Sequence, residues 1–187
     1  MKKVLFSVLI VLAAVSSLCA QDSKSNEFDK RIEIGWHPYS YLRQYGVNQH
    51  GGAISGAYMK TNRFAWIGDV SMQQDSQATP IVNAAYRFGP RVYRPLTKKF
   101  TGFAEALAGG AHHGTSVVPS PTGTGNLVTP GRNGFAFGLG GGVDMPVRSW
   151  FSWRVAQVDY NFLHIAGINS NGVRIQTGGV FRIWNRK

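Results

Sequence analysis

The chain has 187 residues, 43% of them hydrophobic, with 20 Lys and Arg against 9 Asp and Glu for a net charge of +11. That length fits one domain, and a single cysteine excludes a disulfide framework. So basic a cytosolic chain would point to nucleic acid, but no basic helix, zinc-ligand spacing or RNA-binding aromatic motif is present, which removes nucleic acid as a partner.

Residues 1–20 carry Lys2 and Lys3, a short apolar core and then Leu18, Cys19 and Ala20. This is the pattern of a cleaved export signal, and its apolar core is too short to span a bilayer. Leu18 stands where a lipoprotein signal needs a small residue, so Cys19 is not read as a lipid anchor. Cleavage after Ala20 leaves a mature chain without cysteine and lowers the net charge from +11 to +9. In an exported protein that charge directs attention to anionic lipid, lipopolysaccharide or cell-wall polymer.

Residues 21–30 form a polar N-terminal lead-in, and residues 31–187 carry a recurring two-residue period. In the first strand, 31–42, Ile32, Ile34 and Trp36 face one way while Arg31, Glu33 and His37 face the other. Residues 43–51 read as a loop, 52–60 as a weak strand and 61–63 as a turn. In 64–73, Trp66, Val70 and Met72 oppose Asp69, Ser71 and Gln73. After a loop at 74–80, strand 81–93 carries Arg87, and 94–99 turns the chain. Strand 100–110 is rich in Gly and Ala and is interrupted by Glu105.

The Gly-, Ser-, Thr- and Pro-rich run 111–132 reads as a long loop. In strand 135–144, Phe135, Phe137, Leu139 and Val143 alternate with Ala136, Gly138, Gly140, Gly142 and Asp144. A turn at 145–149 leads to the seventh strand, where Gln157, Asp159 and Asn161 share a face but Arg154 has the opposite parity. Either a bulge shifts the register there, or Arg154 snorkels to the rim. Residues 164–171 read as a loop, and 172–184 as the eighth strand, with Val173, Ile175, Phe181 and Ile183 opposing Arg174, Gln176 and Arg182.

Eight strands of about 10 residues suit a tilted bilayer crossing. The bulky apolar face must look outward, because only the small and charged face fits a narrow interior. The fold class expected is therefore all-β, an eight-stranded antiparallel up-and-down transmembrane β-barrel. Connections alternate long and short, which puts the long loops outside and both termini in the periplasm.

Two further patterns agree with that topology. Aromatics gather at both rims: Phe64, Trp66, Phe88, Tyr93, Phe100, Trp150, Phe151, Trp153 and Trp184 at the periplasmic one, and Tyr39, Tyr41, Phe135, Phe137, Tyr160 and Phe162 at the outer one. Cations gather at the periplasmic end: Lys60, Arg63, Arg91, Arg94, Lys98, Lys99, Arg148, Arg182, Arg186 and Lys187.

The stretches FAEALAGG (103–110), FGLGGGVD (137–144) and RVAQVDY (154–160) resemble the small outer-membrane β-barrel domain family, which groups with eight-stranded barrels of the OmpA and OmpX type. The final strand, QTGGVFRI (176–183), resembles the family's signal to the barrel assembly machinery, which implies that role for Gln176, Gly178, Phe181 and Ile183. Here Trp184 to Lys187 run past the usual terminal aromatic.

Glu33, Asp69, Arg87, Glu105, Asp144, Asp159, Arg174 and Arg182 are expected to form a structural ion-pair network in the lumen, because opposite charges must pair where water is scarce. No catalytic, cofactor or metal residue is expected. His112 and His113 are adjacent, but no preset third ligand accompanies them.

Two enzyme types occur on outer-membrane barrels of this size. The lipid A deacylase pattern fails at His164-Ile165-Ala166-Gly167, which lacks the serine nucleophile and a downstream acid. A palmitoyl transferase pattern would need Asp75-Ser76 beside His37 or His50. A secreted soluble barrel of the lipocalin type would need a greasy interior, the reverse of this pattern. The function expected is a structural or surface-interaction role, with lipopolysaccharide and outer-membrane lipids, the assembly machinery and an extracellular ligand on the long loops as partners. A lipid-modifying enzyme or a narrow low-conductance pore is the alternative.

Overall fold

The computed structural model describes residues 31–44, 46–75, 82–119 and 126–184. Among the described residues ten strands run in chain order: β1 Arg31–Gln44, β2 Val47–Met59, β3 Phe64–Asp75, β4 Val82–Pro95, β5 Thr101–His113, β6 Ser116–Pro119, β7 Asn126–Thr129, β8 Arg132–Arg148, β9 Phe151–Ile165 and β10 Ile168–Trp184. Eight of them close an antiparallel barrel in the order β1-β10-β9-β8-β5-β4-β3-β2, while β6 and β7 pair as a separate hairpin. Every barrel strand pairs with its barrel neighbours, and β1 meets β10 to close the sheet, so no long edge is left open. The end holding Arg31 and Trp184 is called the base, and the opposite end the crown.

Alternation sets the two faces. Ile34, Trp36, Val70, Phe88, Val158 and Ile175 stand exposed on the outer wall, while Glu33, Asp69, Arg87, Arg174 and Gln176 are buried inside. A water-soluble barrel would reverse this, because burying charge while exposing a continuous apolar belt is unfavourable in water. The interior also holds apolar clusters. Met59, Ile67, Tyr93, Phe103 and Leu107 pack together, and Ala111, Ala136 and Ile165 form a second group.

Several local expectations change. The run 43–51 is not a long loop, because β1 continues to Gln44 and β2 begins at Val47. Likewise 164–171 contracts to a tight turn at Ala166 and Gly167, whose φ values of 53° and 81° suit a type I′ hairpin. The run 111–132 carries the β6–β7 hairpin rather than loop alone. Strand β8 extends to Arg148, so the turn expected at 145–149 shrinks to Ser149 and Trp150. Cross-strand pairing overrides turn-forming composition at these places, since each added ladder pair satisfies backbone groups that a loop would leave to water.

Arg154 is fully buried, and the cause is a bulge in β9 rather than snorkelling. Val143 pairs with Ala156 and Asp144 with Arg154, which leaves Val155 as the extra residue. Val155 and Ala156 both face outward, so parity flips between Arg154 and Gln157 and both point in. A second bulge interrupts β1 between Trp36 and Tyr39 and contains Pro38, a residue with no ladder N–H to lose. It lets His37 and Ser40, three positions apart, both face the interior.

Candidate functional site

The interior is built by inward positions of all eight barrel strands. Toward the crown side of the middle, Asp69 on β3 accepts from Arg87 at 2.6 Å and from Arg174 at 2.9 Å. Arg174 on β10 also holds its cross-strand partner Asp159 at 2.7 Å, and Arg87 donates to Asn161. One carboxylate thus bridges two guanidiniums, and with the second acid the two charges of each sign balance.

A second layer lies toward the base. Arg91 donates to Glu105 at 2.7 Å through Nε, and Arg154 grips Asp144 through two bonds of 2.8 and 3.0 Å. Both guanidiniums lie 4.3 Å from the Phe103 ring centroid, so the aromatic face adds attraction where water is excluded. Gln157 joins the layers by donating to Glu105 at 2.8 Å and to Asp159 at 3.0 Å, while accepting from Arg154 at 3.0 Å. At the base, Glu33 accepts from Tyr93 at 3.0 Å and from Arg182 at 3.0 Å.

The eight network residues therefore all sit in the interior, Arg182 in its half-buried rim. Arg91 and Tyr93, expected at the rim, are instead buried inside, as is Arg154. For Arg91 and Tyr93 the signal was available: they share odd-numbered parity with Arg87 along β4, and parity outweighs nearness to a turn. Gln157 and Asn161 had the right parity and supply neutral bridges between charged layers.

Small residues on β8 make the space. A Cβ on Gly140 would overlap the Asp159 carboxylate, one on Gly138 would come within 2.8 Å of Arg87 Nη1, and one on Gly142 within 2.7 Å of the Phe103 ring. The glycine run thus serves one aromatic ring as well as two charged groups.

The network separates two cavities. One of about 30 Å³ lies on the crown side between Gln44, Gln73, Asn83, Arg87 and Ile165. Another of about 140 Å³ lies at the base between Glu33, Asn62, Tyr93, Asp144 and Arg182. They share no lining residue, and Arg91, Glu105, Arg154 and Gln157 fill the section between them.

The histidines do not converge. His112, His113 and His164 each donate from Nδ1 to the amide oxygen of their cross-strand asparagine, Asn133, Asn83 and Asn169, at 2.7, 2.5 and 2.6 Å. His37 is buried in the interior, and His50 packs outside against Tyr41 at 5.4 Å. Asp75 pairs with Gln49, whose side chain points inward, whereas His50 points outward, so the two stand on opposite faces of the sheet. Ser76 lies outside the described residues. Among the described residues no group of three or more His, Cys, Asp or Glu could hold a metal.

Of the residues expected to form an assembly signal, Gln176 and Gly178 point into the barrel and Phe181 and Ile183 point out.

No family model and no curated protein matches the sequence. Solved structures do match the fold. Ail, the attachment invasion locus protein of Yersinia pestis, aligns with a TM-score of 0.55 at 15% identity, over 84% of this chain and 100% of that one. Neisserial surface protein A aligns with a TM-score of 0.56 at 11% identity, over 82% of this chain and 96% of that one. Matching a closed eight-stranded barrel over nearly its whole length, the chain has the fold of the small outer-membrane β-barrels.

Proposed function

We propose that this chain is an integral outer-membrane protein with a structural or surface-interaction role. The observation that carries the reading is the inverted wall: a charged, packed interior inside an apolar exterior that includes Trp36, Val70, Phe88 and Ile175. Residues 1–20 act as the cleaved export signal, the base with both termini faces the periplasm, and the crown faces outward. Gln176, Gly178, Phe181 and Ile183 present the terminal strand to the barrel assembly machinery. Lipopolysaccharide and outer-membrane lipids surround the belt, and the crown offers the surface for an extracellular ligand. The names of Ail and Neisserial surface protein A, an attachment protein and a surface protein, support such a role. The filled interior favours interaction over transport.

Membrane-extracted protein is expected to migrate faster in gel electrophoresis when unheated than when boiled, as a closed barrel does. Recovery as a soluble periplasmic protein with one migration state would overturn the reading.

A further inference from the structure

Two turns at the base repeat one another. Residues 60–64 read Lys-Thr-Asn-Arg-Phe, and residues 96–100 read Leu-Thr-Lys-Lys-Phe, so both contain Thr, any residue, a cation and Phe. Three hydrogen bonds also recur in both. Lys60 N and Thr61 N donate to Phe64 O at 2.9 and 3.1 Å, and Leu96 N and Thr97 N donate to Phe100 O at 2.9 and 3.2 Å. In each, the threonine hydroxyl accepts from the amide two residues on, Arg63 in one and Lys99 in the other, both at 3.2 Å. The closed backbone leaves Lys60, Arg63, Lys98 and Lys99 exposed. The third base turn adds exposed Arg148.

None of the three turns contains an acid. Among the described residues, Glu33, Asp69, Glu105, Asp144 and Asp159 are buried inside, and the remaining carboxylate, Asp75, lies at the crown. Among the described residues, exposed charge at the base is therefore of one sign. Each cationic turn also adjoins an aromatic. Phe64 meets Trp66 edge-on at 5.5 Å, Trp66 stacks on Phe88 at 5.4 Å, and Trp150 stacks on Phe181 at 6.2 Å. Outward aromatics mark the level where an apolar belt meets polar headgroups.

We infer that the base is a collar for the phosphates of anionic phospholipid in the leaflet it borders. Lysine ammonium groups at headgroup level donate to phosphate oxygens, and the rigid turns, which contain no acid of their own, hold Lys60, Lys98 and Lys99 there. The inference rests on the membrane reading above. It differs from general lipid solvation in naming the lipid charge and the two repeated turns that select it.

The full mature chain inserted in vesicles of equimolar phosphatidylglycerol and phosphatidylcholine, then extracted gently for native mass spectrometry, tests it. The wild type is expected to retain phosphatidylglycerol over phosphatidylcholine by about fivefold or more. The K60Q/K98Q/K99Q variant should lose most of that preference while keeping heat-modifiable migration, and R132Q at the crown should leave it unchanged. Insertion with no lipid preference, or a preference the triple variant keeps, overturns the inference alone. Binding to isolated cell-wall sacculi that the triple variant abolishes, without lipid preference, also overturns it and assigns the turns to the wall. Failure of the wild type to insert at all overturns the membrane reading and the collar together.

Discussion

Arg154 shows how much a single buried charge can depend on one partner. Its guanidinium is fully buried, grips Asp144 through two bonds and covers one face of Phe103. Asp144→Ala would leave that charge uncompensated, at an expected loss of about 3–5 kcal/mol. The double variant Asp144→Ala, Arg154→Met removes the stranded charge and should recover most of the loss, because an apolar side chain of similar length fits the same space. Denaturant unfolding from lipid vesicles measures both, and equal losses in the two variants would count against the pairing as the cause.

At the level of elements, β10 is flanked at one point by bulges on both neighbours. The β1 bulge lies opposite Gly178, and the β9 bulge lies opposite Thr177, between the pairs Gln176–Gln157 and Gly178–Arg154. The Thr177 hydroxyl closes the β9 bulge by donating to Arg154 O at 2.8 Å. A Cβ at Gly178 would come within 2.8 Å of His37 Nδ1, so this glycine serves the closing seam as well as the proposed assembly signal. Deleting Val155 should reverse the facing of one part of β9, turning Arg154 or the Gln157 and Asp159 side chains toward the apolar belt. That variant is expected to show no heat-modifiable band, whereas Thr177→Ala keeps the band and loses about 1 kcal/mol. A folded Val155 deletion would show that the register can be absorbed elsewhere.

For the whole molecule, a barrel of eight strands is narrow enough for side chains to close it. Two salt-bridge layers joined by Gln157 occupy the section between the crown and base cavities. Wild-type protein in planar bilayers should therefore carry no steady ion current. Replacing Arg91 and Arg154 together by serine opens that section and leaves Glu105 and Asp144 without their cations, so a cation-selective current is expected. A steady current through wild-type protein would contradict the filled interior.

Period-two alternation alone determined the number of barrel strands, the outward apolar belt and the inward placement of Glu33, Asp69, Arg87, Glu105, Asp144, Asp159 and Arg174, because side-chain direction in a strand follows from parity. Parity also placed Arg91 and Tyr93 inside, although their nearness to a turn concealed it. Only the tertiary structure decided what depends on neighbouring strands. Which arginine meets which carboxylate is set by strand order and stagger, as in the contact of Arg174 with Asp69 across 105 residues. The bulges at Pro38 and Val155 are fixed by the register of β1 and β9 against their neighbours. The runs at 43–51 and 164–171 became tight hairpins because a partner strand was present to pair with them. Composition reports how readily a segment turns, whereas the ladder beside it decides whether it does.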